Sequence, residues 1–215
     1  MESKTPTWLP PGKSAISWSQ VDCANRDAEV YYRQYFLGEQ SVMPDFVTVG
    51  NLFHGIVENP DWPTTLVANG LGAYHASFEK LKAHSDRPNP ETEFLVPYES
   101  PYGTVQIKGF YDGLDTEKHE IEEIKTSPFR LWDQRKLEGH GQVKLYSLVY
   151  HSVYKVMPTV KLKSLVIVAD PAKCKVKLLE HKFSFEQALT VQQEINNAVS
   201  IIYQLHDKFR KDSGT

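Results

Sequence analysis

The sequence predicts an α/β domain in which helices pack against a β-sheet, and three stretches carry that expectation. Residues 162–169 (Leu-Lys-Ser-Leu-Val-Ile-Val-Ala) form a largely apolar run of strand length, suited to the middle of a sheet covered on both faces. Residues 109–126 read as two short strands joined by a tight polar turn at 115–118. Residues 141–156 and 185–211 carry apolar stripes at helical spacing. These are Val143, Tyr146, Val149, Tyr150 and Val153 in the first, and Leu189, Ile195, Val199, Ile202 and Leu205 in the second.

The remaining elements follow in chain order. Residues 1–14 hold three prolines and few apolar side chains, which predicts a flexible or extended arm ahead of a single domain over 15–215. Ser17, with Gln20 three residues on, has the pattern of a capping box and starts a helix. Val30, Tyr31, Tyr35 and Phe36 recur at helical spacing until Gly38. A further helix covers 50–58 and stops at Asn59-Pro60, and another covers 62–85, weakened by Gly70 and Gly72. Residues 93–98 read as a strand whose Pro97 suggests an edge position. The turn at 101–103 then leads into the central hairpin, giving a three-stranded antiparallel meander. After the strand at 162–169 comes another at 175–183.

Composition sets wide bounds. A chain of 215 residues suits one domain with a sizeable core, and 40% hydrophobic with 24% charged residues is ordinary for a globular protein. No apolar run approaches the length of a membrane helix, so no membrane partner is expected. Cys23 and Cys174 have no metal-ligand spacing and read as two buried thiols of a reducing, cytoplasmic compartment. The net charge of -3 argues mildly against a protein that coats nucleic acid, though a local positive groove needs no overall basic charge.

Chemistry enters with the hairpin. Side chains alternate along a strand, so Phe110, Asp112 and Leu114 share one side of its first arm, and Ile121, Glu123 and Lys125 one side of its second. If those sides coincide, Asp112, Glu123 and Lys125 converge. Two carboxylates can hold a hard divalent cation that keeps its other positions for water and phosphate. A lysine beside them can orient a water or offset charge on a phosphate. The bland alternative is a hairpin with ordinary surface charge. His54 and Glu58 lie four apart on one helix face, as a solvated pair or with His54 turned toward the carboxylates. Arg130, Trp132, Arg135 and Lys136 suit phosphate contact and base stacking, or a loop with one tryptophan tucked against the body.

Taken in order, Gly50-x-x-x-His54, Gly109-x-x-Asp112, Glu123-Ile124-Lys125-Thr126 and Gln142-Val143-x-x-Tyr146 resemble the RecB-like branch of the PD-(D/E)XK nuclease superfamily. That branch includes CRISPR-associated RecB-like nucleases and, more distantly, lambda-type exonucleases. The resemblance implies a restriction-endonuclease-like core, a central mixed β-sheet flanked by α-helices. It implies a metal-dependent deoxyribonuclease, expected to be an exonuclease, acting on single- or double-stranded DNA in recombination, repair or processing. His54, Asp112, Glu123 and the carbonyl of Ile124 would ligate Mg²⁺ or Mn²⁺, and Lys125 would position the attacking water. Gln142 and Tyr146 would contact the DNA backbone, and Glu58 would be a secondary candidate. Many relatives carry an iron–sulfur cluster on four cysteines. This chain has two cysteines in all, so the cluster-free form is expected. No helicase segment is present, and any motor or recombination partner would be separate. The competing class is a nuclease-fold binding or assembly subunit without turnover.

Overall fold

The computed structural model describes residues 6–40, 45–55, 61–84, 89 and 91–214. A two-residue strand β1 (Ile16–Ser17) enters helix α1 (Trp18–Arg26), whose start is the expected capping box. The Gln20 N–H donates to Ser17 Oγ, and the Ser17 N–H to Gln20 Oε1. Asp27 ends α1 and caps the next helix, α2 (Ala28–Tyr31), by accepting from the Val30 N–H at 3.0 Å. A π-helical turn, Tyr32–Phe36, follows. The aromatic run is therefore not one regular helix: Tyr31, Tyr32 and Phe36 are buried while Val30 is exposed.

Helix α3 (Asp45–Gly55) packs on the main sheet region. The single helix expected over 62–85 is divided into α4 (Trp62–Ala68) and α5 (His75–Leu81). Gly70, at φ +71°, stops the first, with the Leu71 N–H returning to the Leu66 carbonyl at 2.8 Å. The strands are β2 (Thr92–Ser100), β3 (Gly103–Tyr111), β4 (Gly113–Asp115) and β5 (Glu120–Ser127), then β6 (Thr159–Val166) and β7 (Lys175–Lys182). Between β5 and β6 lie α6 (Gln134–Gly139) and α7 (Gly141–Tyr154). After β7 come α8 (Phe185–Leu189) and α9 (Val191–Ser213), where one continuous helix was expected.

Among the described residues these strands form two mixed sheets, ordered β1-β3-β2 and β4-β5-β6-β7. β2 is an edge strand, as Pro97 suggested, and β6 is internal, parallel to β5 and antiparallel to β7. The expected meander is broken at Asp112. β3 pairs with β2 as far as Tyr111, and Gly113 opens β4, which pairs with β5 in the other sheet. The cause is local: Asp112 Oδ2 accepts the Ile124 N–H at 2.7 Å, taking an amide that a continuing ladder would use. Leu114, beyond the break, accordingly belongs to the other sheet and does not share a face with Phe110. Phe110 is exposed and Leu114 buried. The predicted turn at 115–118 is present, with Asp115 Oδ1 accepting from the amides of Glu117 and Lys118.

Apolar burial, at about 1.5–3 kcal/mol per large side chain, is concentrated in three clusters. The first joins α1, α7 and α9 to the β1-β3-β2 sheet. The second places Val49 and Phe53 of α3, Leu66 of α4 and Phe78 of α5 against Ile124 and Leu165. The third gathers Trp132, Leu137 and Val143 over Val160, Leu162 and Leu179. Leu162 and Leu165 thus meet different clusters, so β6 is covered on both faces. Two expectations are corrected here. Val153 is exposed, outside the stripe of α7, and from Pro6 onward the arm is not a free extension. Trp8 and Leu9 are buried, with Trp8 Nε1 donating to the Tyr102 carbonyl at 3.3 Å. Cys23 and Cys174 are free, buried thiols. No described helix is long and apolar enough to cross a membrane.

Close approach explains three glycines. A Cβ on Gly50 would strike Thr126 of β5, one on Gly109 the Phe94 ring, and one on Gly141 the Trp18 ring. Gly141→Ala is expected to destabilise the protein by about 1–3 kcal/mol, because Trp18 sits buried and has little room to give. Urea denaturation measures it; an unchanged midpoint would show that the Trp18–α7 contact is loose.

Candidate active site

The break between the two sheets opens a cleft of about 410 Å³. His54, Lys108, Asp112, Glu123, Lys125, Gln142 and Tyr146 line it, with Ser17, Trp18 and Ser19 at one wall. Each side chain arrives there for a local reason. Glu123 and Lys125 project from the same face of β5, toward α7. Gln142 and Tyr146 are one turn apart on α7, and His54 is in the last turn of α3. Asp112 occupies the single residue between β3 and β4.

A continuous hydrogen-bond chain orders these groups. Lys125 Nζ donates to Glu123 Oε1 at 2.5 Å and to Gln142 Oε1 at 2.8 Å. Gln142 Nε2 donates to the Tyr146 hydroxyl at 3.0 Å, and the Tyr146 carbonyl accepts from the Tyr111 hydroxyl at 3.3 Å. Asp112 is held by the Ile124 amide, and its Oδ1 lies 3.6 Å from His54 Nδ1.

The two carboxylates are driven apart in acidity. Burial, and next the charge of Asp112, push Glu123 up to about 7, against the pull of Lys125. For Asp112 burial also acts upward. The hydrogen bond and charge of His54, the Ile124 amide and Lys125 together outweigh it, so its carboxyl lies below the ordinary range. His140, between Trp18 and Trp132, is pushed down to about 3 by burial and then by Lys125, Lys136 and Lys144, and stays neutral. Glu120 and Glu122, on the opposite face of β5, are paired across the strand with Lys161 and Lys163, each at 2.7 Å. Those two hairpin carboxylates have lysine partners on the neighbouring strand, whereas the lysine partner of Glu123 is on its own strand.

A divalent cation fits this donor set on one specific ground. Glu123 Oε2 is buried without a hydrogen-bond partner, an unfavourable state for a carboxylate oxygen unless a cation shares it. Among the described residues no three His, Cys, Asp or Glu side chains are gathered into a cage. The donors present are two carboxylates, which suits a cation that keeps water in its coordination shell better than one enclosed by protein.

The structure brings some of the residues singled out in the sequence together and leaves others apart. His54, Asp112, Glu123, Lys125, Gln142 and Tyr146 all line the cleft, and Ile124 anchors Asp112. Glu58 lies outside the described residues. Arg130 and Arg135 are exposed but do not line the cleft. Trp132 is buried in the third core cluster, its backbone N–H donating to Ser164 Oγ at 2.8 Å and its ring covered by Lys136 Nζ at 4.2 Å. It has no face left for a base. Trp132→Ala is expected to cost about 3–5 kcal/mol of stability and to leave the DNA affinity of the folded fraction unchanged. Thermal melts with binding titrations separate the two effects. Lys108 was missed; it pairs with Glu93 at 2.8 Å at the cleft's edge. Its position two residues before Phe110, on the same side of β3, was the available signal.

No protein-family model and no curated protein sequence matches this chain. Among solved structures it is similar to a candidate exonuclease from Eubacterium rectale, at 8% identity and a TM-score of 0.66, over 91% of this chain and 82% of the other. The fold is nuclease-like. Its mixed α/β core, with helices packed on two mixed sheets, is consistent with the α/β class expected from the sequence. Protein SSO0001 aligns over 88% of this chain and 77% of its own, at 18% identity, but its TM-score of 0.43 bears no weight.

Proposed function

We propose that this chain is a metal-dependent deoxyribonuclease of the RecB-like branch, a hydrolase that degrades DNA from an end. The observation that carries the reading is Lys125, held between Glu123 and Gln142 beside an Asp112 fixed by a backbone amide. A surface ion pair has no use for this much positioning. Asp112, Glu123, the Ile124 carbonyl and His54 would hold Mg²⁺ or Mn²⁺. When bound, that ion supplies Lewis-acid polarisation of the scissile phosphate and lowers the pKa of water.

The chain's own residues do the rest. Lys125 orients the attacking water and faces the negative charge that grows on the phosphate oxygens as the new P–O bond forms and the old one breaks. Gln142 holds the lysine in place and, with Tyr146, borders the strand's backbone. An intracellular setting follows from reading both cysteines as reduced thiols.

The test is a cleavage assay on end-labelled linear single- and double-stranded DNA beside closed circles, with Mg²⁺, Mn²⁺ or chelator. Metal-dependent loss of the linear forms, sparing of the circles and inactivity of Asp112→Ala are expected. A folded wild-type protein that binds DNA and cleaves none of these would make it a binding subunit instead.

A further inference from the structure

The cleft leaves unexplained the most exposed large hydrophobic side chain among the described residues. Phe129 is 83% exposed, four residues beyond Lys125. Its exposure is built in. Ser127 Oγ accepts from the amides of Phe129 and Arg130 at 3.2 and 3.4 Å, and the Ser127 carbonyl accepts the Ile167 N–H at 3.0 Å. The turn is thus bonded to the end of β6 and holds the ring outward. Phe46, in the first turn of α3 and itself 45% exposed, stands 6.4 Å from it, ring centre to ring centre.

Two further features frame this ring. At strand rise, Phe129 lies at most about 13 Å along the chain from Lys125, about four nucleotide steps of a stacked strand. The ring itself lines a groove of about 590 Å³ together with Pro128, Val168, Lys173 and Lys175. Asp170 engages Lys173 at 3.4 Å, whereas Lys175 and Arg130 make no ion pair among the described residues. An outward aromatic ring with unpaired cations at Arg130 and Lys175, four residues along the chain from Lys125, has the chemistry of sequence-tolerant single-strand binding. Every base offers a π-face, and the cations follow the backbone.

We propose that Phe129 is a base-stacking platform, over which the strand leaving the cleft lays its unpaired bases, with Arg130 and Lys175 following its phosphates. This rests on the nuclease reading and narrows its substrate to single-stranded or overhanging DNA. A blunt duplex keeps its bases stacked on one another and offers Phe129 little.

The experiment measures binding in chelator, where no cleavage competes. Dissociation constants are determined for a short single strand and for the blunt duplex of the same sequence, with wild type and Phe129→Ala. 2-Aminopurine is placed at successive positions of the single strand. The variant is expected to bind the single strand about 5- to 100-fold more weakly. Its duplex affinity and melting temperature should stay unchanged, and the fluorescence quench at one aminopurine position should be lost. Equal single-strand affinity in both proteins overturns the proposal. So does an equal loss on both substrates, which would mark a backbone contact. Wild-type cleavage alongside either result overturns only this proposal. A wild type that binds neither DNA overturns it together with the nuclease reading.

Discussion

Lys125→Ala is expected to lower the DNA cleavage rate by about 10³-fold while leaving the Mg²⁺-induced rise in melting temperature in place. Removing one preorganised charge-stabilising donor costs about 10²–10³ in rate, and loss of water positioning adds to that. The donors proposed for the metal survive. Asp112 keeps its bond from the Ile124 amide, and Glu123 keeps both oxygens. What changes is the partner of Glu123 Oε1, now as orphaned as Oε2. The cation-induced stabilisation should therefore need a higher pH, because the proton that competes for Glu123 is held more firmly without the lysine beside it. Steady-state cleavage and thermal melts across pH with and without Mg²⁺ read both effects. A variant cutting at the wild-type rate would place the chemistry elsewhere.

The parts of this site that were legible in the sequence are those set by periodicity. Glu123 and Lys125 share a face of β5 because a strand repeats every two residues. Gln142 and Tyr146 touch because a helix brings i and i+4 together, and the 3.0 Å bond between them is that spacing made visible. The capping box of Ser17 and Gln20 is equally local. Asp112 was placed in the site for an incomplete reason. Its strand was read as continuous, whereas the carboxylate itself breaks the ladder by taking the Ile124 amide. The cleft exists because of that break, and a side chain's competition with the ladder leaves no periodic trace.

Long-range packing was the least legible. Trp132 sits in a polar stretch, and only Ser164, thirty-two residues on, and the strands beneath it turn that tryptophan into core. Asp133, read as part of an irregular loop, accepts from the Lys136 amide at 2.7 Å and starts the short helix α6 that roofs it. The exposed aromatic was instead Phe129, three residues earlier. Nothing in residue type separates the two rings; the turn made by Ser127 does.

Glu123→Gln should abolish cleavage and, without metal, make the protein more stable at alkaline pH. In the folded state Glu123 titrates at about 7, raised by burial and then by Asp112, against about 4.5 when unfolded. Between those values the folded state holds a proton that the unfolded state has released. Wild-type stability in chelator should therefore fall as pH rises from about 4.5 to 7 and level off above. The loss is on the order of 3 kcal/mol, or about 10 °C in melting temperature for a chain of this size. Glutamine has the shape of the protonated acid, can still accept from Lys125 Nζ, and does not titrate. Its curve should match wild type near pH 5 and lie above it at pH 8. Adding Mg²⁺ should reverse the order, since the carboxylate that is unfavourable alone is the one the cation would share. Melting curves at pH 5 and pH 8, with chelator and with Mg²⁺, decide it. Parallel pH profiles for the two proteins would mean that Glu123 is comfortably ionised in the cleft, and the case for a cation resting on its orphaned oxygen would fall with that result.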